Sequence, residues 1–354
     1  MVLGLDPQCL AGRPQPLFHQ MRRALHDMLL ACDSRVMRLS DDPTYQFREA
    51  MRFDGGFRNL STAVSDYNQI AQTFRVSLDR VVALGWLPAE LVYWSQIFGA
   101  SQCIARADLG LHPSDTSRDG TPEFYEACNS AFQRISPYVK AKPYEAGQTV
   151  FSVGSNNLDA LLIEEQKQGS KKYRRAGIEA IMAAMITAAY AAFETMASDL
   201  WIAAVNRHSI LAARYLEKTD KEIKLSALGA YQFNASNAMG KILTETKKVS
   251  FQSFNDIKQA YLAAFRSDIE SVFSDTRSIY KAEKIRHLIA HRGGIVDSKF
   301  SDEMKDFEDL KDIAVGQQLP FSGPLVADQI DACSRLGTSL FIAVDSWSAT
   351  APTG

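Results

Sequence analysis

Apolar residues recur at three- and four-residue steps along most of the chain, the spacing that builds one face of an α-helix. Leu60, Ala63, Val64, Tyr67, Ile70, Ala71, Phe74, Leu78 and Val81 follow it and predict one amphipathic helix. Residues 17–39 and 88–109 carry the same pattern, with Pro88 suited to a first helical position, where its missing N–H is not needed. Residues 110–122 are rich in Asp, Ser, Gly and Pro and predict a loop. The short run 149–153 reads as a strand. Further on, residues 176–206 predict a long alanine-rich helix, 254–265 another and 268–292 a third. A last helix follows Ser322-Gly323-Pro324, with Leu325, Ile330, Cys333, Leu336, Leu340, Phe341 and Val344 along one stripe. Strand signals are otherwise scarce, so an all-α fold is expected, with an up-down bundle over 170–350.

Charge usage divides the chain. Residues 1–165 hold 13 Arg and 2 Lys against 19 acids, and residues 166–354 hold 9 Arg and 15 Lys against 22 acids. The change coincides with the polar run EEQKQGSKKYRRAG (164–177), a natural linker. Two regions are expected: a mostly helical N-terminal region over 1–168 and a helical bundle over 169–354. The 46% of apolar residues supports a folded core, and the net charge of −2 gives no overall basic excess toward nucleic acid. Five scattered cysteines without a C-x-x-C pair predict neither a zinc knuckle nor a disulfide framework. The uncharged, alanine-rich stretch 180–193 is shorter than the roughly 20 residues of a membrane span, so it reads as a core helix. No basic segment followed by an apolar run opens the chain, and a cytoplasmic protein without membrane partners is expected.

One segment carries chemistry: KAEKIRHLIAHRGGIVDSKF, 281–300. Arg286 is followed by His287 and, after three further residues, by His291. Gly293-Gly294 offers a positive-φ exit from the helix, which places His291 in the last turn, where the helix dipole favours a cation. Arg presents a planar, permanently charged fork to phosphate, and His moves protons near neutral pH. On one helix the step from Arg286 to His291 rotates roughly 140°, so the pair does not share a narrow stripe. A two-fold dimer joining two such sets in one groove would correct this. Residues 274–299 hold six basic and three acidic side chains, and Lys281, Lys284 and Arg292 are the candidate contacts to an RNA backbone. The basic run Lys167, Lys171, Lys172, Arg174 and Arg175 is a further such candidate, or simply a solvated linker.

This segment resembles the signature of the HEPN superfamily (higher eukaryotes and prokaryotes nucleotide-binding): an Arg, a polar residue, three residues and a His. The resemblance extends to the helical context and the Gly-Gly exit, over about residues 175–350. It implies a HEPN-like C-terminal bundle acting as a metal-independent endoribonuclease, without cofactor. In such proteins the RNA 2′-OH attacks the adjacent phosphate and leaves 2′,3′-cyclic-phosphate and 5′-OH ends. His291 would be the general acid or base, Arg286 would hold the phosphate, and His287 would orient the phosphate or His291. Members usually dimerise through the motif-bearing helices. Many serve in phage defence or toxin–antitoxin pairs, which implies an antitoxin or other defence-system partner. Gly293 stands where some members carry a modifiable Tyr. Family members also carry a carboxylate on the first bundle helix. Glu194 is the match, with Arg286 or a nearby His as its expected partner, and Asp199 is the alternative.

Plainer readings stay open. Arg286 would equally pair with Glu283 or Asp297 on a solvated face, and His291 would cap its helix. Glu283, His287 and His291 share a stripe that suits a metal, although no H-E-x-x-H accompanies it. The bundle would also serve as a non-catalytic module binding RNA, nucleotide or a partner protein. Trp86, Tyr93 and Trp94 are expected in the core. The acid-rich runs Asp41-Asp42 and 301–312 are expected on exposed surface.

Overall fold

The computed structural model describes residues 47–53, 55–136, 143–168, 173–232 and 238–351. The helix expected over 17–39, Asp41-Asp42, Lys171 and Lys172 lie outside them. The protein is all-α: among the described residues there are eleven α-helices, short 3-10 turns and no strand beyond one isolated bridge. The helices are α1 (Asn68–Asp108), α2 (Pro122–Ile135), α3 (Pro143–Gln168), α4 (Tyr173–Arg207), α5 (Ser209–Thr219), α6 (Leu225–Gly229), α7 (Met239–Glu245), α8 (Phe254–Phe265), α9 (Arg277–Arg292), α10 (Ser298–Met304) and α11 (Gly323–Thr350).

Helix α4 is the hub. It packs against α1, α11, α9, α7, α5 and α8. Its alanines make this possible, because Ala is the strongest helix former and keeps neighbouring helices close. Met185, Ile186, Ala189, Tyr190, Phe193, Ala197, Leu200, Trp201 and Ala204 are all buried. The Trp201 indole donates to the Ala260 carbonyl (3.1 Å), and the Tyr261 hydroxyl donates to the Ala197 carbonyl (2.7 Å), which fixes α8 against α4. By length and composition, Ser65–Asp108 and Arg174–Arg207 are apolar enough to cross a membrane. The second of these supplies the centre of the core.

Three elements differ from the sequence expectation. Helix α1 runs through Pro88, which lies in its interior and not at a start. The missing hydrogen bond is offset by packing: Gly85 faces Met51 and Met185, and Ala89 lies against Gly154 of α3. Residues 149–153 are helical, not a strand. Their alternation coincides with a longer helical pattern in which Val150, Phe151, Leu158 and Leu162 are buried. Finally, 268–292 is not one helix. A 3-10 segment, Arg266–Phe273, precedes α9, entered at Arg266 with φ +57°. Burial of Ile269 and Phe273, with Asp268 accepting the Trp347 indole N–H (2.9 Å), holds this turn out of the helical path.

The core also crosses the expected boundary at 168/169. Helix α1 packs on α4, and the turn Phe47–Met51 packs on α11. Asp345 of α11 accepts the backbone N–H groups of Ala63 (2.6 Å) and Val64 (2.9 Å), and Tyr67 and Ser348 share a hydroxyl hydrogen bond of 2.8 Å. Trp86 stacks on Phe151 and Trp94 on Phe132, while Tyr93 is buried, so these aromatics pack among the N-terminal helices.

Candidate functional site

Helix α9 carries the Arg–His segment. Ile279, Ala282, Ile285 and Leu288 fix its orientation by facing the core. Its exit is built as the Gly-Gly pair requires. Gly293 (φ +60°) donates to the Ile289 carbonyl at 3.1 Å, and Gly294 (φ +82°) to the Leu288 carbonyl at 3.2 Å. The chain then pairs with 316–319: Val296 N–H donates to Gln317, Leu319 N–H to Gly294, and Gln318 Nε2 to the Gly293 carbonyl. A Cβ at Gly294 would lie 2.6 Å from Gln318 Nε2, so this glycine serves both conformation and space. The last turn of α9, with His291, is therefore pinned from its C-terminal side.

The Arg286 guanidinium turns toward α4. Its Nη2 lies 3.6 Å from Glu194 Oε2, and its Cζ lies 5.8 Å from the centroid of the Tyr190 ring. Both charged side chains are about one-quarter exposed, at 29% and 24%. Burial pushes the Glu194 carboxyl up, Arg286 opposes that shift and Glu283 adds to it. Burial also raises the Tyr190 phenol, so the face beneath Arg286 stays neutral. Asp199 is removed from this cluster and acts electrostatically on Tyr261. Glu194 is thus the α4 carboxylate that meets the motif.

His287 and His291 are exposed and adjacent, with ring centroids 4.3 Å apart. Partial burial, then His291, Lys299, Lys284 and Arg286, hold the His287 imidazole below its ordinary range. The neutral ring that results both accepts and donates. Glu283 does not complete a metal stripe with them: its Oε2 accepts the Phe254 N–H (3.1 Å) at the start of α8. Among the described residues, no group of three His, Cys, Asp or Glu is placed to hold a metal.

The three basic residues expected along an RNA backbone have partners here. Lys281 is buried and bound to Asp309, and its ammonium also faces the Phe307 ring. Lys284 pairs with Glu303 at 3.0 Å and lies over Tyr280. Arg292, the most exposed, meets Asp297 at 3.3 Å. Lys281 is therefore corrected from a surface contact to a buried structural pair. Its partner, like that of Lys284, comes from the acid-rich run 301–312, which is only in part the free surface expected. Arg175 of the other basic run pairs with Glu179 at 2.8 Å.

No family profile, no characterised protein and no solved structure matches this chain. The site therefore rests on its own chemistry: an arginine braced by a carboxylate and an aromatic ring, beside two exposed imidazoles in contact.

Proposed function

We propose that the protein is a metal-independent endoribonuclease of the HEPN type, acting in the cytoplasm. The observation that carries this reading is the cluster Glu194–Arg286–His287–His291, in which one helix supplies a held cation and two imidazoles. Transphosphorylation requires one proton taken from the 2′ hydroxyl and one given to the departing 5′ oxygen. As the 2′ oxygen bonds to phosphorus and the P–O5′ bond breaks, two groups are needed in opposite protonation states. His287, held below its ordinary range by partial burial first and by its charged neighbours next, suits the acceptor role, and the donor role is left to the ring in contact with it, His291. Arg286 would stabilise the charge growing on the phosphate oxygens. Glu194 and Tyr190 both meet the Arg286 guanidinium and orient it.

Within one chain Arg286 faces α4 while the imidazoles face solvent. In this reading a homodimer through α9 brings the two sets to one groove. Phage defence or a toxin–antitoxin pair, with an antitoxin or other defence-system protein as partner, is the setting the family resemblance suggests. The same inward turn of Arg286 supports the second reading, a helical module that binds RNA without cutting it.

Expression of the wild type beside Arg286→Ala/His291→Ala, with total RNA examined for 5′-OH and 2′,3′-cyclic-phosphate ends, separates the two. Chelator-resistant cleavage by the wild type alone is expected. RNA binding without new ends would leave the module reading.

A further inference from the structure

Where α8 and α9 begin side by side lies a cavity of about 630 Å³. Lys258 enters it from α8, Arg277, Tyr280 and Lys284 from α9, and Asp275 and Glu283 are its two acids. The three cations come from two helices; Lys284 is paired with Glu303 and Glu283 accepts the Phe254 N–H, which leaves Lys258 and Arg277 beside Asp275. Lys258 has no ion-pair partner among the described residues. Arg277 hydrogen-bonds the Asp306 carbonyl and lies over Phe307 at 4.8 Å, so its charge meets no carboxylate there.

The face of α9 that lines the cavity leads on to the histidine pair. Arg277, Tyr280, Lys284, His287 and His291 stand at i, i+3, i+7, i+10 and i+14, one face of α9. The contacts follow that order: Lys284 Nζ lies 4.9 Å from the Tyr280 ring, Lys284 bears electrostatically on His287, and His287 touches His291. At about 1.5 Å per residue, Lys284 stands ~10 Å and Arg277 ~21 Å from His291 along the helix. A ladder of cations leading from a hollow to a proton-transfer pair fits a flexible polyanion better than a compact ligand.

We propose that this cavity is a subsite for single-stranded RNA, taking a backbone phosphate between Lys258 and Arg277 while a neighbouring stretch of the same strand lies at His287 and His291. The proposal rests on the ribonuclease reading for the identity of the polyanion. It assigns Lys258 and Arg277 to holding substrate, away from the reacting bond.

The test is fluorescence anisotropy with a labelled 2′-O-methyl oligoribonucleotide, whose blocked 2′ oxygen prevents cleavage. Lys258→Glu, which strands no partner, is expected to bind about tenfold more weakly with an unchanged melting temperature. Lys258→Gln/Arg277→Gln is expected to lower the slope of log affinity against log salt by about 0.7, since the one phosphate held between them is then no longer neutralised. Unchanged affinity and slope in both variants, or a wild type that does not bind the probe, would overturn the subsite. Cleavage of unmodified RNA is scored separately. A wild type that binds through Lys258 and Arg277 yet leaves RNA intact upholds the subsite and removes the ribonuclease. A wild type that cuts RNA while both variants bind as it does removes the subsite alone.

Discussion

Arg286 Nη2 lies 3.6 Å from Glu194 Oε2, joining the motif helix α9 to the central helix α4. The contact is an ion pair beyond hydrogen-bond length, and the carboxylate carries a desolvation cost that the arginine does not cancel. Its service to the protein is therefore to orient the guanidinium more than to stabilise the fold. Because the folded state raises the Glu194 carboxyl above its unfolded value, its favourable contribution is full at low pH. That contribution declines as pH rises through the raised value. The stability of the wild type relative to Glu194→Gln is thus expected to fall between pH 4 and pH 7. Urea unfolding of both proteins at the two pH values checks this, and a difference that grows with pH would contradict it.

His287 shifts in the opposite sense, held low by partial burial first and by His291 next. Its contribution to stability is present above the unfolded value and is lost as pH falls through the lowered one. Acidification through the histidine range is expected to destabilise the wild type more than His287→Asn. In His291→Ala the His287 titration, followed by the C2 proton resonance, is expected to move upward. An unmoved titration would mean that the two rings do not share a field in solution.

Gly154 is placed where α3 touches α1: a Cβ there would lie 2.0 Å from the Ala89 carbonyl oxygen. Gly154→Ala is expected to cost about 1–3 kcal/mol through forced separation of the helices. Gly99, also helical, has open space around its Cβ position. Gly99→Ala is expected to stabilise by about 0.5–1 kcal/mol. Chemical denaturation that ranks the two variants the other way would refute the close approach.

Asp345 accepts two backbone N–H groups from the segment before α1 and is itself buried. Asp345→Ala leaves both donors without an acceptor and is expected to cost about 1–3 kcal/mol. The N-terminal described helices and the bundle should still unfold in one transition, since the core runs through both. Two separated transitions in calorimetry would show that they are independent units.

Much of this was legible in the sequence. Helical periodicity marked α4, α8 and α11 because each buries a continuous stripe, and burial is what periodicity records. The Gly-Gly exit of α9 was legible because positive φ selects glycine almost regardless of surroundings. Glu194 was singled out by the family resemblance, at the end of an uncharged run, and Arg286 was one of the two kinds of partner expected for it, because a half-buried acid requires a cation.

The elements that were misread depend on neighbours distant in the chain. Pro88 signals a helix start locally, yet Met51, Met185 and Gly154 pack around its turn and keep α1 continuous. Residues 149–153 alternate like a strand, but the longer repeat that buries Phe151 and Leu158 against α1 prevails. The sequence by itself determined the all-α class, the extents of α4, α8 and α11 and the residues of the Arg–His cluster, because propensity, capping and periodicity act within a few residues. Only the tertiary structure decided which charges remain available. Lys281 was bound by Asp309 and Lys284 by Glu303, whereas Lys258, beside a cavity, meets no carboxylate among the described residues, since long-range packing chooses the partner of each flexible cation.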